Sequence, residues 1–153
     1  MNQESPIITV RDASFEDVEF IAEANYSMAL EIENLKLDKD ILFKGVRAVF
    51  RKPSRGCYII GEYNGEVAGC LLITHEWSDW RNSNVAWIQS LFVKEEFRGK
   101  GVFKKMFATI EERVSNGEYA GIRLYVDKSN ENAMEVYSGL GMSGDHYLLF
   151  EKM

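Results

Sequence analysis

The stretch from Trp87 to Val114 restricts this chain more than any other. A nearly uninterrupted apolar run, Trp87–Val93, breaks at Lys94-Glu95-Glu96 and passes through Phe97-Arg98-Gly99-Lys100-Gly101. The spacing then becomes helical at once, with Val102, Phe103, Met106, Phe107, Ile110 and Val114 on one broad face. A buried strand joined to an amphipathic helix by a glycine-bearing turn demands an α/β arrangement. The first N–H groups of such a helix have no partner within it, and glycine lets an anion approach them. Arg98, Lys100, Lys104 and Lys105 crowd this turn in a chain of net charge −6. Gly-x-Gly alone also fits a plain turn with solvated lysines.

The rest of the chain supplies the partners for that unit. Ile7–Arg11 reads as a strand. Ser14-x-x-Asp17 resembles a capping box and opens a helix carrying Val18, Ile21, Ala22 and Asn25. A second helix starts near Asp38 and presents Ile41, Leu42, Val46, Val49 and Phe50. Cys57–Tyr63 and Glu66–Thr74 form a hairpin about Asn64-Gly65, the favoured two-residue turn. A Trp-rich polar loop, Glu76–Asn84, precedes the Trp87–Val93 strand. Beyond the central helix, Arg123–Val126 reads as a strand and Asn130–Gly139 as a helix with Ala133, Val136, Tyr137 and Leu140 on one side. Met142–Phe150 is strand-like. The order β-α-α-β-β-β-α-β-α-β predicts a mixed α/β sheet in a single domain over residues 7–153.

Charge and composition exclude several functions. An acidic chain is poorly suited to holding nucleic acid by neutralising phosphates. No apolar run approaches the ~20 residues of a membrane span, and MNQESPIITV lacks the pattern of a secretory leader, so a cytoplasmic protein is expected. With Tyr63 opposite Glu66, Cys57 and Cys70 become diagonal neighbours on one face, poor geometry for a disulfide, so both are expected reduced. The two histidines, His75 and His146, form no zinc-ligand spacing with the cysteines, and no metal is expected. No Gly-x-Ser-x-Gly elbow accompanies them.

Two motifs, taken together, resemble the GNAT superfamily of acetyl-coenzyme A-dependent N-acetyltransferases. Its Gln/Arg-x-x-Gly-x-Gly/Ala signature is matched by Arg98, Gly101 and, imperfectly, Phe103. Its Asn-x-x-Ala-x-x-x-Tyr-x-x-x-Gly-Phe/Met pattern is matched by Asn130, Ala133, Tyr137, Gly141 and Met142. Val10-Arg11-Asp12-Ala13 with Asp17 resembles the family's opening, so the likeness spans residue 7 to the C-terminus. The resemblance implies acetyl-coenzyme A as cosubstrate and a GNAT fold. It implies that the main chain of Arg98, Gly99, Lys100, Gly101, Val102 and Phe103 binds the pyrophosphate. Leu91, Phe92 and Val93 would hold the pantetheine arm where their strand splays from Arg123–Val126, Asn130 would touch the same arm, and Tyr137 would protonate the departing thiolate. Phe103 stands where the family has a small residue, which puts the local helix position in question. Amide binding survives, because every non-proline residue has an N–H.

Other features carry open alternatives. Trp87-Ile88-Gln89-Ser90-Leu91 has no carboxylate to act as base, leaving Glu76, His75, Asp79 or a water chain. Trp77, Asp79 and Trp80 either cradle a cationic amine or pin the loop to the sheet, with Asp79 and Arg81 bridged. Residues 1–40 hold ten acids and three bases. Glu31 and Glu33 fall where the first helix should end, against its dipole. They read as a solvated face or as a funnel for a cationic acceptor. The resemblance thus implies transfer of an acetyl group to a primary amine of a small molecule or peptide, with a homodimer common among similar proteins. Transfer of a longer acyl group and an acyl-coenzyme A-binding module without turnover are the alternatives.

Overall fold

The computed structural model describes residues 4–153, which divide into two compact units, the first running through Arg123 and the second spanning Leu124–Met153. In the first unit β1 (Ile8–Asp12), α1 (Val18–Glu33), α2 (Lys39–Arg51), β2 (Cys57–Tyr63), β3 (Glu66–Ser78), β4 (Ser83–Val93), α3 (Val102–Ser115) and β5 (Ile122–Arg123) follow one another. The sheet order is β1-β2-β3-β4-β5, antiparallel except for the parallel β4–β5 pair. This is the expected mixed α/β architecture.

Local chemistry explains the helix starts. Asp17 accepts the Ser14 N–H at 2.8 Å and both Arg11 guanidinium nitrogens at 2.8 and 2.9 Å, tying β1 to the turn before α1. The Arg11 hydrogen bonds hold the Asp17 carboxyl below its usual range, against the opposing effect of burial. Asp38 accepts the Ile41 N–H at 3.0 Å and caps α2. Helices α1 and α2 bury Val18, Ile21, Ala22, Ala24 and Val46 against Tyr58, Ile60, Cys70 and Leu72 on one sheet face. Helix α3 covers the other face. There a Cβ at Gly61 would stand 2.8 Å from the Val102 Cγ1, so glycine lets helix and sheet meet.

Several expectations need correction. Asn64 and Gly65 do form the turn, both at positive φ, and Tyr63 does face Glu66. A bulge then intervenes: Gly61 pairs with Gly69 and Glu62 with Val67, so Ala68 is an extra residue on β3. The register slips by one. Cys57 therefore pairs with Ile73 and Cys70 with Ile60, which puts the two free thiols on opposite faces. The Trp-rich segment is mostly strand, since β3 and β4 run to Ser78 and Ser83 and leave only Asp79–Asn82 as the turn. The strand expected over Arg123–Val126 is limited to Ile122–Arg123.

The second unit contains α4 (Glu131–Gly139), with Asn130 as its cap. Met142–Phe150, expected as a strand, belongs to none. A strand exists only where a ladder partner is found, and this segment has none among the described residues. No helix among the described residues is long and apolar enough to cross a membrane.

Candidate functional site

The glycine turn is built by backbone conformation. After β4, a single 3-10 turn (Glu95–Phe97) leads to Arg98, then Gly99 at φ +72° and Gly101 at φ +89°, where L side chains are strained. Gly101 occupies the cap position of α3, no side chain caps that end, and no acid lies in the first turn. The Arg98 N–H is taken by the Glu95 carbonyl at 3.2 Å, while no side chain caps the helix end that follows it. Phe103 is the second residue of α3, which begins at Val102. Its ring lies along α3 beside Phe107, 5.9 Å between centroids.

Arg98 is committed to protein partners. Its Nε donates to the Val93 carbonyl at 2.9 Å, and its two terminal nitrogens donate to Glu31 at 2.7 and 3.1 Å. This fork joins the end of β4 to the last turn of α1. Hydrogen bonding from Arg98 lowers the Glu31 carboxyl below its usual value. Glu33 ends α1 and is exposed.

Midway along β4 the ladder is broken. Cys70 pairs with Phe92 and Leu72 with Gln89, so Ser90 and Leu91 stand opposite Leu71 alone, with Ser90 at φ +52°. The bulge resets the alternation, and Gln89 and Phe92 share the face that carries Cys70 and Leu72. The apolar run Leu91-Phe92-Val93 hides such a change of phase, so no sequence signal announces it. The β4–β5 ladder comprises Ala86 with Ile122 and Trp87 with Arg123. Among the described residues of this unit, Ile88–Val93 has no strand partner on that edge.

The register sorts the proposed bases. Thr74, Glu76, Trp87, Gln89 and Arg123 lie on the α1/α2 face of the sheet. There the Gln89 Nε2 donates to the Thr74 hydroxyl at 2.6 Å, and Arg123 pairs with Glu76. His75 points to the opposite face and stacks on Tyr119, 5.6 Å between centroids. Asp79 accepts the Trp80 N–H within the hairpin turn at 3.0 Å. Arg81 donates to the Ser78 hydroxyl at 3.3 Å. Trp77 and Trp80 are 61% and 88% exposed and do not pin the tip.

In the second unit, the Asn130 Oδ1 accepts the Ala133 N–H at 3.2 Å. Tyr137, on α4, is half-buried, and burial raises its phenol above the usual value. Among the described residues no group of three His, Cys, Asp or Glu side chains is arranged to hold a metal.

Known proteins share this architecture. The model of the acetyltransferase (GNAT) family matches residues 15–142. A crystal structure of a possible acetyltransferase from Clostridium difficile 630 is 39% identical, covers 96% of this chain and 97% of that one, and superposes with a TM-score of 0.88. The thialysine N-epsilon-acetyltransferase of Bos taurus is 32% identical over 82 residues, 53% of this chain and about half (48%) of that protein's length. The aminoglycoside N-acetyltransferase AAC(6')-Iy in complex with CoA is 15% identical with a TM-score of 0.75 over 100% of this chain and 99% of that one, a likeness of fold.

Proposed function

The chain belongs to the GNAT acetyltransferase family and is an acyltransferase; from that premise we propose that it moves an acetyl group from acetyl-coenzyme A to a primary amine by direct attack. The continuity of β4 carries this reading. One strand passes through the Ser90 bulge and ends in the glycine turn that opens α3. In this reading the amides from Gly99 to Phe103 receive the pyrophosphate, while the Arg98 side chain anchors the turn through Val93 and Glu31. The main chain of Leu91, Phe92 and Val93 holds the pantetheine arm, and Asn130 offers its amide NH2 to the same arm.

Two proton movements complete the transfer. Tyr137, kept protonated by burial, gives its proton to the departing thiolate. Gln89 donates to Thr74 and offers its Oε1 to a water, the route for the amine's proton. Glu76 pairs with Val85, four residues from Gln89 along β4. That is beyond the single hydrogen bond or single water a general base needs. The acidic first forty residues, Glu33 among them, support steering of a cationic acceptor.

The test is incubation with acetyl-coenzyme A and a panel of primary amines, read by mass spectrometry. Free coenzyme A appearing with an N-acetylated amine in equal amount is expected. Coenzyme A binding without product from any amine would overturn transfer in favour of a binding module.

A further inference from the structure

Helix α1 buries one polar side chain among its apolar ones. Asn25 is 6% exposed and sits at the centre of the stripe formed by Val18, Ile21, Ala22 and Ala24, which faces the sheet. Its Nδ2 donates to the Ile21 carbonyl at 3.1 Å, one turn back. A carbonyl can be served only by the NH2 side, so this bond fixes which way the amide points. No donor among the described residues reaches the Oδ1. An acceptor left so is costly when sealed from water. This one is not sealed, because among the described residues the Arg47 Nε is the one fully buried side-chain nitrogen or oxygen without a partner. The Asn25 oxygen therefore touches solvent from within a packed face.

Helix α1 and strand β4 converge on Arg98, which grips Glu31 and the Val93 carbonyl. Asn25 lies about 9 Å back along α1 from Glu31. The bulge at Ser90 lies about 10 Å back along β4 from Val93. Between them are Cys70 and Leu72, which pair with Phe92 and Gln89 and carry the buried stripe of α1. Asn25 thus looks onto the face where Gln89 spends its own NH2 on Thr74 and offers its oxygen. Two neutral amide oxygens suit an amine that must be uncharged to react. A carboxylate beside it would favour the ammonium form, whereas an amide oxygen accepts an N–H and adds no charge. In the transfer the amine lone pair forms the C–N bond and the C–S bond breaks, the thiolate taking the Tyr137 proton. One amine proton leaves through the water on Gln89, and the other N–H stays on the product amide. We infer that the Asn25 Oδ1 accepts this retained N–H, so that Asn25 selects primary over secondary amines. A secondary amine has a single N–H, which the reaction consumes, and none for Asn25. The inference rests on the acetyl-transfer reading.

Pentylamine and N-methylpentylamine test it, compared by kcat/KM in the native protein and in two variants. Asn25→Leu has a similar volume and no polar atoms. In it the ratio of pentylamine to N-methylpentylamine should fall about three- to tenfold, the worth of one hydrogen bond. The bulk of the extra methyl group is common to both proteins and cancels in that comparison. The dissociation constant for coenzyme A should stay unchanged, with a melting temperature at or above the native one because a polar group leaves a packed face. Asn25→Ala, which cannot crowd the sheet, should show the same change of ratio and keeps the test intact if leucine does not fit. An unchanged ratio in a folded variant overturns the assignment while leaving acetyl transfer in place. Equal loss for both amines also overturns it, because Asn25 would then serve the fold or the coenzyme A site. Product from no amine would instead sink the acetyl-transfer reading itself.

Discussion

The two halves of β4 work in different ways. Before the bulge, Ser83–Gln89 pairs with β3 throughout and with β5 at Ala86 and Trp87, and it displays side chains: Trp87, Gln89 and their neighbours Thr74, Glu76 and Arg123. After the bulge, Leu91–Val93 runs into a turn whose form depends on two glycines at positive φ and on an uncapped helix end. One half offers side-chain atoms and the other offers backbone. A single inserted residue separates them. Backbone recognition suits a cosubstrate common to a whole family, because it survives changes of side chain. Side-chain recognition suits an acceptor that differs from member to member.

The contrast breaks most sharply at the side-chain hydroxyl assigned to thiolate protonation. Tyr137→Phe retains the ring and removes only the hydroxyl. General acid catalysis contributes typically 10²–10⁴-fold, so kcat should fall by about that factor while the dissociation constant for coenzyme A stays unchanged. Stopped-assay turnover and calorimetric titration of the same preparation read the two quantities. Native turnover in this variant would remove Tyr137 from the mechanism.

A smaller effect sharpens the backbone half. Phe103 sits in the first turn of α3, where proline is tolerated. Phe103→Ala removes the ring beside Phe107 and keeps the N–H. Phe103→Pro removes both. Coenzyme A affinity should drop about tenfold further in the proline variant than in the alanine one, the worth of one hydrogen bond to a charged group. Equal affinities at equal melting temperature would take that amide out of the site.

These differences also mark what the sequence disclosed. The turn was legible because Gly99 and Gly101 sit where positive φ is required, and the Asn64-Gly65 hairpin was legible for the same reason. The two bulges were not. An extra residue at Ala68 or Ser90 is a property of a pair of strands, and neither strand alone records it. The bulges decided the most: one separated the cysteines, and the other brought Gln89 and Phe92 to the same face. The extension of β3 through His75-Glu76-Trp77-Ser78 was written in the alternation of that segment. Its His, Glu and Ser content reads as loop only when composition is weighed above period. The Arg98–Glu31 contact joins residues 67 apart and follows from the folded arrangement alone.

That contact leads to the smallest effect, at the end of α1. Glu31 and Glu33 carry equal charge, but only Glu31 is joined to Arg98 at the turn. Long-range steering responds to net charge, so Glu31→Gln and Glu33→Gln should weaken it alike. Anchoring of the turn responds to the hydrogen bonds, so only Glu31→Gln should raise the KM for acetyl-coenzyme A, by a few-fold, because an exposed pair contributes about 1 kcal/mol or less. Raising ionic strength from 0.01 to 0.15 M shortens the screening length from about 30 to about 8 Å. The native kcat/KM for cadaverine should therefore fall a few-fold more than that for pentylamine. The excess should shrink in both glutamine variants. Equal salt sensitivity of the two acceptors would remove steering and leave Glu31 with its anchoring role. An unchanged acetyl-coenzyme A KM in Glu31→Gln would show that the glycines hold the turn by themselves, making the backbone half of β4 independent of side chains altogether.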